Sequence, residues 1–183
     1  MTSGIEYIDT ITPDGRLTGE SRPRDEIHKN GIWHRSVHIW ILNNKEELLI
    51  QRRSLEKESH PGLWDVSCAG HIGSGDLSLQ AAVRELKEEL GLTVRPGELK
   101  RIFSVESHFV LNNGTYKDNE LVDVYLLRKN ISIQTLRLQP GEVESVKMIS
   151  VGALRNAVLT RDSSFVPHWN AYENLLDYLD KSI

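Results

Sequence analysis

The most informative stretch of this sequence is a glycine-containing loop that runs into an acidic helical pattern between Gly70 and Leu92. At about 100° per residue, Glu85, Glu88 and Glu89 fall on one side of that helix, nearly opposite a row of apolar residues. Carboxylates at this spacing repel one another by roughly a few tenths of a kcal/mol per pair, and a bound cation would relieve the repulsion. Clustered oxygen ligands suit Mg²⁺ or Mn²⁺, with substrate phosphates completing the coordination. The spacing therefore predicts a metal site, whereas most acidic helix faces are simply solvated.

The whole stretch resembles the Nudix box, whose pattern is Gly-x5-Glu-x7-Arg-Glu-U-x-Glu-Glu-x-Gly-U with an apolar residue at each U. The sequence matches every fixed position from Gly70 to Gly91 except one, since Asp76 stands in place of the first glutamate. The resemblance implies an enzyme, a Nudix-type pyrophosphohydrolase that uses Mg²⁺, or alternatively Mn²⁺, to cleave a diphosphate joined to another group X. It also implies that the three glutamates named above are both metal ligands and catalytic residues.

Two further residues of the box have expected roles. Arg84 lies four residues before Glu88, so its guanidinium should hold a carboxylate in orientation, and we count it among the catalytic residues. Asp76 has a shorter side chain than the usual glutamate, and it could cap the helix or reach Arg84. Its part in metal binding stays open at this point.

Segments on both sides of the box resemble the isopentenyl-diphosphate isomerase branch of the same superfamily. They are, in chain order, residues 28, 33–38, 51–53, 61–65, 69–71, 118–120 and 165–167. In those isomerases, histidines matching His28, His34 and His71 surround a metal and the reacting alkene, together with acids matching Asp118 and Glu120. The resemblance implies substrate contacts at His34 and His71 and leaves open a second metal there, with an ordinary sheet or surface histidine as the alternative for His28.

Two departures from the isomerase pattern favour hydrolysis. The isomerase needs a cysteine beside the glycine that opens the box, and Ala69 occupies that position. Cys68 comes one residue earlier, so on an extended strand it should point to the opposite face and be buried. The positions of Glu85 and Glu88 are usually not acidic in isomerases. A metal-dependent hydrolase acting on a small organic or nucleoside diphosphate derivative is therefore preferred, with isopentenyl-diphosphate isomerase and a non-catalytic diphosphate-binding domain as alternatives.

Three charged residues outside the box are further candidates. Glu120 begins a strand whose counterpart lines the site in relatives, so it is the candidate catalytic base, unless it is an edge carboxylate in solvent. Arg52 and Arg53 leave a strand towards the box loop, and a guanidinium fits phosphate oxygens. We expect a substrate-binding arginine here, and strand alternation allows only one of the two to face the cleft.

The elements that must position these residues follow from hydrophobic periodicity and turn signals. Mixed strands and helices predict an α/β fold, and the resemblance implies a single Nudix domain over residues 1–183, an α/β/α sandwich with a mixed sheet. An N-terminal β-hairpin extension is expected within 5–30, the box at 70–92 and an amphipathic helix at 165–181.

Two hairpins and two single strands are predicted to form the sheet. A hairpin should join the apolar run 37–42 to 47–52, and another should join 99–110 to 120–127 around Asn112-Asn113-Gly114. One short strand is expected at 64–68 and a last one at 142–149.

The composition of the chain limits the classes of partner that it is expected to bind. The formal net charge of −4 provides no basic footprint, so binding to a nucleic-acid duplex is not expected, and the predicted partner is a small-molecule diphosphate. One cysteine excludes an internal disulfide framework and fits a cytoplasmic location. No apolar run is long enough to predict a membrane span or a secretion signal. No pattern specifies X or the oligomeric state.

Overall fold

The computed structural model describes residues 4–181, which form a mixed sheet with helices on both faces. The strands are β1 (Tyr7–Ile11), β2 (Leu17–Pro23), β3 (His34–Leu42), β4 (Glu47–Arg53), β5 (Trp64–Asp65), β6 (Cys68–His71), β7 (Leu99–Leu111), β8 (Tyr116–Arg128) and β9 (Val143–Ser150). The α-helices are α1 (Arg24–Asn30), α2 (Ser78–Leu90), α3 (Val151–Thr160) and α4 (Trp169–Asp180). Short 3₁₀ turns occur at Pro96–Glu98, Asn112–Gly114 and Ile133–Thr135.

Strand β3 is the centre of the sheet. It runs parallel to β8 from the pair His34–Glu120 to the pair Leu42–Arg128. Strand β7 continues the sheet antiparallel to β8, while β6 and β1 pair with β3 in the antiparallel sense. The predicted mixed sheet and the predicted hairpin around Asn112-Asn113-Gly114 are both present, with longer strands than the sequence indicated.

The predicted hairpin between β3 and β4 is wrong beyond its turn. The two strands pair at Leu42–Leu48 and then diverge, because the Ser67 hydroxyl takes the place of direct backbone bonds between them. It accepts a hydrogen bond from the Ile41 N–H at 2.8 Å and donates one to the Leu49 carbonyl at 2.6 Å. Strand β4 instead pairs along its length with β9. The strand predicted at 64–68 is likewise split into β5 and β6 on either side of this point.

A hydrophobic core on each face of the sheet confirms the α/β/α sandwich. On one face, Ile39 and Tyr125 of the sheet are buried with Leu86 of α2. On the other face, Trp40 is buried with Leu154 of α3 and Tyr172 of α4. The alternation of β3 therefore sends its even-numbered side chains towards α3 and α4 and its odd-numbered ones towards α2.

The N-terminal hairpin is present as β1 and β2, but the sequence missed two helices. Helix α1 lies inside the predicted extension and has only seven residues, too few to show a periodic apolar face. Helix α3 follows β9 at once, and the Ser150 side chain caps it by accepting a hydrogen bond from the Ala153 N–H at 3.1 Å. Helix α4 begins at Trp169 rather than at 165, because Phe165 bridges to Trp64 of β5. Within residues 4–181, no helix combines the length and apolar character needed to cross a membrane.

Candidate metal centres and substrate cavity

A cavity of about 650 Å³ opens where β3 and β4 diverge. Side chains of α2 line one side of it, and acidic and histidine side chains at the start of β8 and the end of β6 line another. Arg53 of β4 and Asp65 of β5 close the remaining side. The separation of the two strands therefore creates the space in which the predicted site residues meet.

The three glutamates of α2, called here the carboxylate centre, face this cavity. Glu85 and Glu89 are only 8% and 5% exposed, whereas Glu88 is exposed. Glu85 reaches the sheet because Gly70 of β6 has no side chain: a Cβ atom at that position would lie 2.1 Å from the Glu85 Cδ. Gly70 is thus required for the Glu85 carboxylate to lie in this position. Two of the three carboxylates on the acidic face of α2 are buried rather than solvated.

Arg84 holds two of these carboxylates. Its Nη1 lies 2.7 Å from Glu85 Oε1 and 3.1 Å from Glu88 Oε2, and its Nη2 donates to the His71 carbonyl at 3.0 Å. Asp76 Oδ2 lies 3.9 Å from the Arg84 Nε, and the Leu77 N–H at the start of α2 is bound by a glutamine side chain instead. Of the two possibilities for Asp76, the structure supports contact with Arg84 rather than helix capping.

Glu89 is anchored from the sheet side. Its Oε2 lies 3.3 Å from the Gln51 amide nitrogen and 3.4 Å from the Ala69 N–H. Cys68, the residue before Ala69, is buried in the apolar core. Ala69 lines the cavity and Cys68 does not, in agreement with the predicted strand alternation.

The electrostatics of the carboxylate centre are those of a cation site. Burial is the main cause that raises the pKa of Glu85 to about 8 and that of Glu89 to about 7. Arg84 opposes the shift at Glu85 but does not cancel it. Oxygen donors, mutual repulsion and too little positive charge fit a hard divalent ion such as Mg²⁺ or Mn²⁺.

A second group of potential ligands, called here the histidine centre, comprises His28, His34, His71, Asp118 and Glu120. The ring Nδ1 atoms of His28 and His34 lie 2.9 Å and 3.0 Å from the backbone carbonyls of Arg24 and Ile32, so they act as donors. In the neutral rings, which are the form that binds a metal, the Nε2 atoms then carry lone pairs. Neither these atoms nor Asp118 Oδ1 find hydrogen-bond partners among the described residues. Such fixed tautomers are typical of metal-binding histidines.

The donor atoms of the histidine centre converge. His28 Nε2 and His34 Nε2 lie 3.5 Å and 3.6 Å from Asp118 Oδ1, and His34 Nε2 lies 3.5 Å from Glu120 Oε1. The ligand atoms of the three histidines lie within 4.8 Å of one another, as do those of His34 with the two acids. Burial would raise the pKa of Glu120, but the neighbouring histidines His34, His71 and His38 together outweigh it and hold that pKa below the usual range. Imidazoles with ionised carboxylates fit a transition metal.

Arg52 and Arg53 behave as strand alternation requires. Arg53 lines the cavity, where its Nη1 lies 3.0 Å from Asp65 Oδ2 and its Nε and Nη2 bind Ser59. Arg52 is exposed, lies outside the cavity lining and donates to the Gly62 carbonyl at 3.0 Å. The two predicted substrate-binding arginines are therefore not equivalent, and Arg53 is the one that can meet a substrate in the cavity.

Several cavity residues were not predicted from the sequence to belong to the site. Ser36 and His38 lie on the same face of β3 as His34, and His168 precedes α4, with its Nε2 3.6 Å from Asp65 Oδ1. The alternation of polar residues at 34, 36 and 38 within an apolar run was the available signal, because a buried strand seldom carries three polar side chains on one face.

A family model and two relatives are similar to this chain in sequence, and a solved structure is similar to it in fold. The model of the NUDIX domain family matches residues 32–169, which leaves β1, β2, α1 and all but the first residue of α4 outside it. Nudix hydrolase 3 of Arabidopsis thaliana is 42% identical over 166 residues, and these make up 89% of this chain but only 22% of that protein. An isopentenyl-diphosphate Delta-isomerase of Pectobacterium atrosepticum is 31% identical over 142 residues, 78% of this chain and 75% of that one. A Deinococcus radiodurans crystal structure has a TM-score of 0.68 at 20% identity, covers 92% of this chain and 98% of its own, and shows the same fold.

The contact between Gly70 and Glu85 gives the first prediction. Gly70→Ala should displace the Glu85 carboxylate from the cavity, because the added Cβ cannot coexist with it. We expect the affinity for Mn²⁺, measured by titration calorimetry, to fall at least about tenfold. Gly97→Ala is the matched control, since a Cβ there meets nothing within 4 Å. Equal affinities in the two variants would refute the steric role of Gly70.

The raised carboxyl pKa values give a prediction on pH and metal removal. In the metal-free folded state, Glu85 and Glu89 stay protonated up to about pH 8 and about pH 7, whereas in the unfolded chain they ionise near 4.5. Their ionisation therefore lowers the free energy of unfolding as the pH rises from 4.5 towards 8. A bound cation removes that loss, so the gain in melting temperature on adding Mg²⁺ should be larger at about pH 8.5 than at about pH 6.

A double variant isolates this effect from other titrating groups. The double variant Glu85→Gln/Glu89→Gln should abolish the pH-dependent part of the gain in melting temperature on adding Mg²⁺. Glu144→Gln, at an exposed position, should preserve that pH dependence. A Mg²⁺ gain in the unmodified protein that is equal at the two pH values would contradict the prediction.

Proposed function

The chain belongs to the Nudix family, in which its relatives include isopentenyl-diphosphate isomerases, and on that premise we propose that it is a metal-dependent hydrolase. Its reaction would be the cleavage of a diphosphate linkage in a small organic or nucleoside diphosphate derivative. The family membership confirms the prediction of a Nudix-type enzyme, and the nature of the linkage and the dependence on metal are the proposed parts.

The observation that carries this proposal is the buried carboxylate centre beside a cavity large enough for a substrate. Glu85, Glu88 and Glu89 would hold Mg²⁺ or Mn²⁺, which when bound lowers the pKa of an attacking water and neutralises charge on the phosphate oxygens. Arg84 orients Glu85 and Glu88, and the Ala69 N–H orients Glu89. These contacts fix the carboxylates before substrate arrives, which is the condition for electrostatic stabilisation of the transition state.

Arg53 is the proposed contact for a substrate phosphate. Its bonds to Asp65 and Ser59 hold the guanidinium in a fixed orientation at the cavity wall and leave N–H groups on both Nη atoms for an oxygen ligand. A guanidinium held in this way loses little side-chain entropy on binding a phosphate. Arg52 has no such role in the proposal, because it lies outside the cavity lining.

We also propose that the histidine centre binds a second divalent ion. Three side chains offer nitrogen donors, and the unpartnered Asp118 Oδ1 and the ionised Glu120 offer oxygen donors. Because the pKa of Glu120 is lowered, this residue suits the role of a ligand better than that of a general base. His34 and His71 would accordingly contact the metal, and they would meet substrate through it.

Isomerisation remains the alternative from another enzyme class. It is disfavoured because Ala69 supplies no group that can move a proton, and Cys68 points into the core with burial raising the pKa of its thiol. A non-catalytic diphosphate-binding domain is the third possibility. It is disfavoured by the complete set of three glutamates and by the arginine that orients them.

The test of hydrolysis is Glu89→Gln, which removes a charge at nearly constant shape. We expect release of phosphate or diphosphate from a panel of nucleoside, sugar, coenzyme and prenyl diphosphates to fall at least about a hundredfold, with little change in melting temperature. Glu144→Gln, on the exposed side of β9, should leave turnover unchanged. Unaltered turnover in Glu89→Gln would exclude the carboxylate centre as the site. Proton exchange at carbon with isopentenyl diphosphate would instead support the isomerase.

The histidine centre is tested by metal content. His28→Gln should lower the amount of tightly bound transition metal by about one ion per chain, measured by mass spectrometry of metals after incubation with Mn²⁺ or Zn²⁺. The exposed His108→Gln should not change it. If the unmodified protein retains no transition metal after dialysis, the second metal site is rejected, whatever the outcome of the hydrolysis assays.

A further inference from the structure

The floor of the cavity carries two buried polar side chains that the metal centres do not use. Ser36 and His38 follow His34 on the same face of β3 and line the cavity, with Ala69 of β6 directly paired to His38. They are only 3% and 4% exposed. Within residues 4–181, Ser36 Oγ and His38 Nδ1 have no hydrogen-bond partner.

Unpartnered buried polar atoms are unfavourable and rare in folded proteins. An apolar residue of similar size at either position would avoid this cost, so stability alone does not explain their presence. Ser67, which lies where β3 and β4 diverge, shows the contrast: its buried hydroxyl makes two hydrogen bonds to the backbone. Because Ser36 and His38 also line the cavity, their unpartnered atoms are available to a molecule that enters it.

The surroundings of this pair limit what can enter. The His168 ring packs against His38 with ring centroids 4.7 Å apart and against Phe109 with centroids 5.3 Å apart, so the wall beside them is aromatic. The nearby Arg53 is already paired with Asp65. Burial lowers the pKa of His38, and its ring is consequently neutral near pH 7, with one donor and one acceptor nitrogen.

Building on the proposed function, we infer that Ser36 and His38 form the subsite for group X and select a group that carries hydrogen-bonding heteroatoms, as sugars and nucleobases do. A hydrocarbon chain in the same place would leave both polar atoms unpaired. A second anionic group is disfavoured because Asp65 and Glu120 also line the cavity, and because Arg53 is paired with Asp65 and its remaining N–H groups are assigned to the substrate phosphate. Because the side chain of Ala69 is small, a substrate held at the carboxylate centre can extend past it to Ser36 and His38.

The physical basis of the selectivity is an asymmetry in hydrogen bonding. A site whose buried polar atoms pair with the correct ligand strongly disfavours a ligand that leaves them unpaired, whereas an apolar site discriminates only weakly against a polar ligand. The two metal centres recognise the diphosphate, which every candidate substrate shares. The choice of X would then depend on these two side chains of β3.

The test compares two ligands that cannot be hydrolysed. They are the methylene analogues of adenosine diphosphate ribose and of geranyl diphosphate, in which a CH₂ group replaces the bridging oxygen, and binding is measured by calorimetry in Mg²⁺. We expect the first to bind more tightly to the unmodified protein. Ser36→Ala and His38→Phe should each weaken it by about threefold to tenfold and leave the geranyl analogue unchanged or slightly tighter.

The control is Ser107→Ala. Its hydroxyl is also buried and without a partner among the described residues. It lies outside the lining of this cavity, in a smaller pocket that adjoins it at His38 and His168, so neither ligand should respond. Tighter binding of the geranyl analogue to the unmodified protein overturns the inference. An equal loss of affinity for both ligands in Ser36→Ala and His38→Phe also overturns the inference. The comparison of the two analogues on the unmodified protein needs no variant. The inference can therefore be refuted even if a variant folds poorly.

Binding and turnover separate this inference from the proposed function. If the polar analogue binds in a manner that depends on Ser36 and His38 but no diphosphate is hydrolysed, then hydrolysis fails and the subsite stands. If geranyl diphosphate is hydrolysed in preference to sugar and nucleoside diphosphates, then hydrolysis stands and the subsite is refuted.

Discussion

The structure depends on the burial of two carboxylates against a strand that lacks a side chain at the point of contact. Glu85 reaches the sheet only because Gly70 leaves room for it, and Glu89 is held at the same edge by the Ala69 N–H. Burial opposes ionisation of both groups, so the site needs positive charge. Arg84 supplies part of it, and its remaining bond to the His71 carbonyl fastens α2 to β6. One helix–strand contact therefore sets the geometry, the electrostatics and the attachment of the box.

The second metal-binding candidate is built from a wider stretch of the chain. His28 lies on α1, before the start of the family match at residue 32. Glu6, in the segment before β1, places its side-chain Oε1 3.5 Å from the His71 Nδ1. Helix α1 and the segment before β1 thus contribute side chains to the histidine centre and its surroundings. The two centres share one cavity, in which the carboxylate centre resembles hydrolases and the histidine centre resembles isomerases. Ala69 beside Gly70 is the point at which the two patterns conflict.

The sequence predicted the parts of the site that depend on local spacing. Helix α2 and its glutamates were found because a helical repeat places them on one face, and the burial of Cys68 was found because strands alternate. It failed where contacts between distant segments decide the structure. The turn after Leu42 indicated a hairpin, but Ser67, more than twenty residues later, separates the two strands. Similarly, Ser36 and His38 carried a readable alternation, yet only the divergence of β4 turns their face into the floor of a cavity.

The parallel pairing of β3 with β8 has a kinetic consequence. It brings together positions such as Arg35 and Asp123, which are 88 residues apart and joined by a contact of 2.6 Å. Closing so long a loop is entropically costly, so this pairing should form late on the folding pathway. His34 and Glu120 become neighbours only when β3 pairs with β8. Before that pairing forms, the ligands of the histidine centre are apart and cannot bind an ion together. Such an ion should prolong the lifetime of the folded state by slowing unfolding and contribute little to the speed of folding.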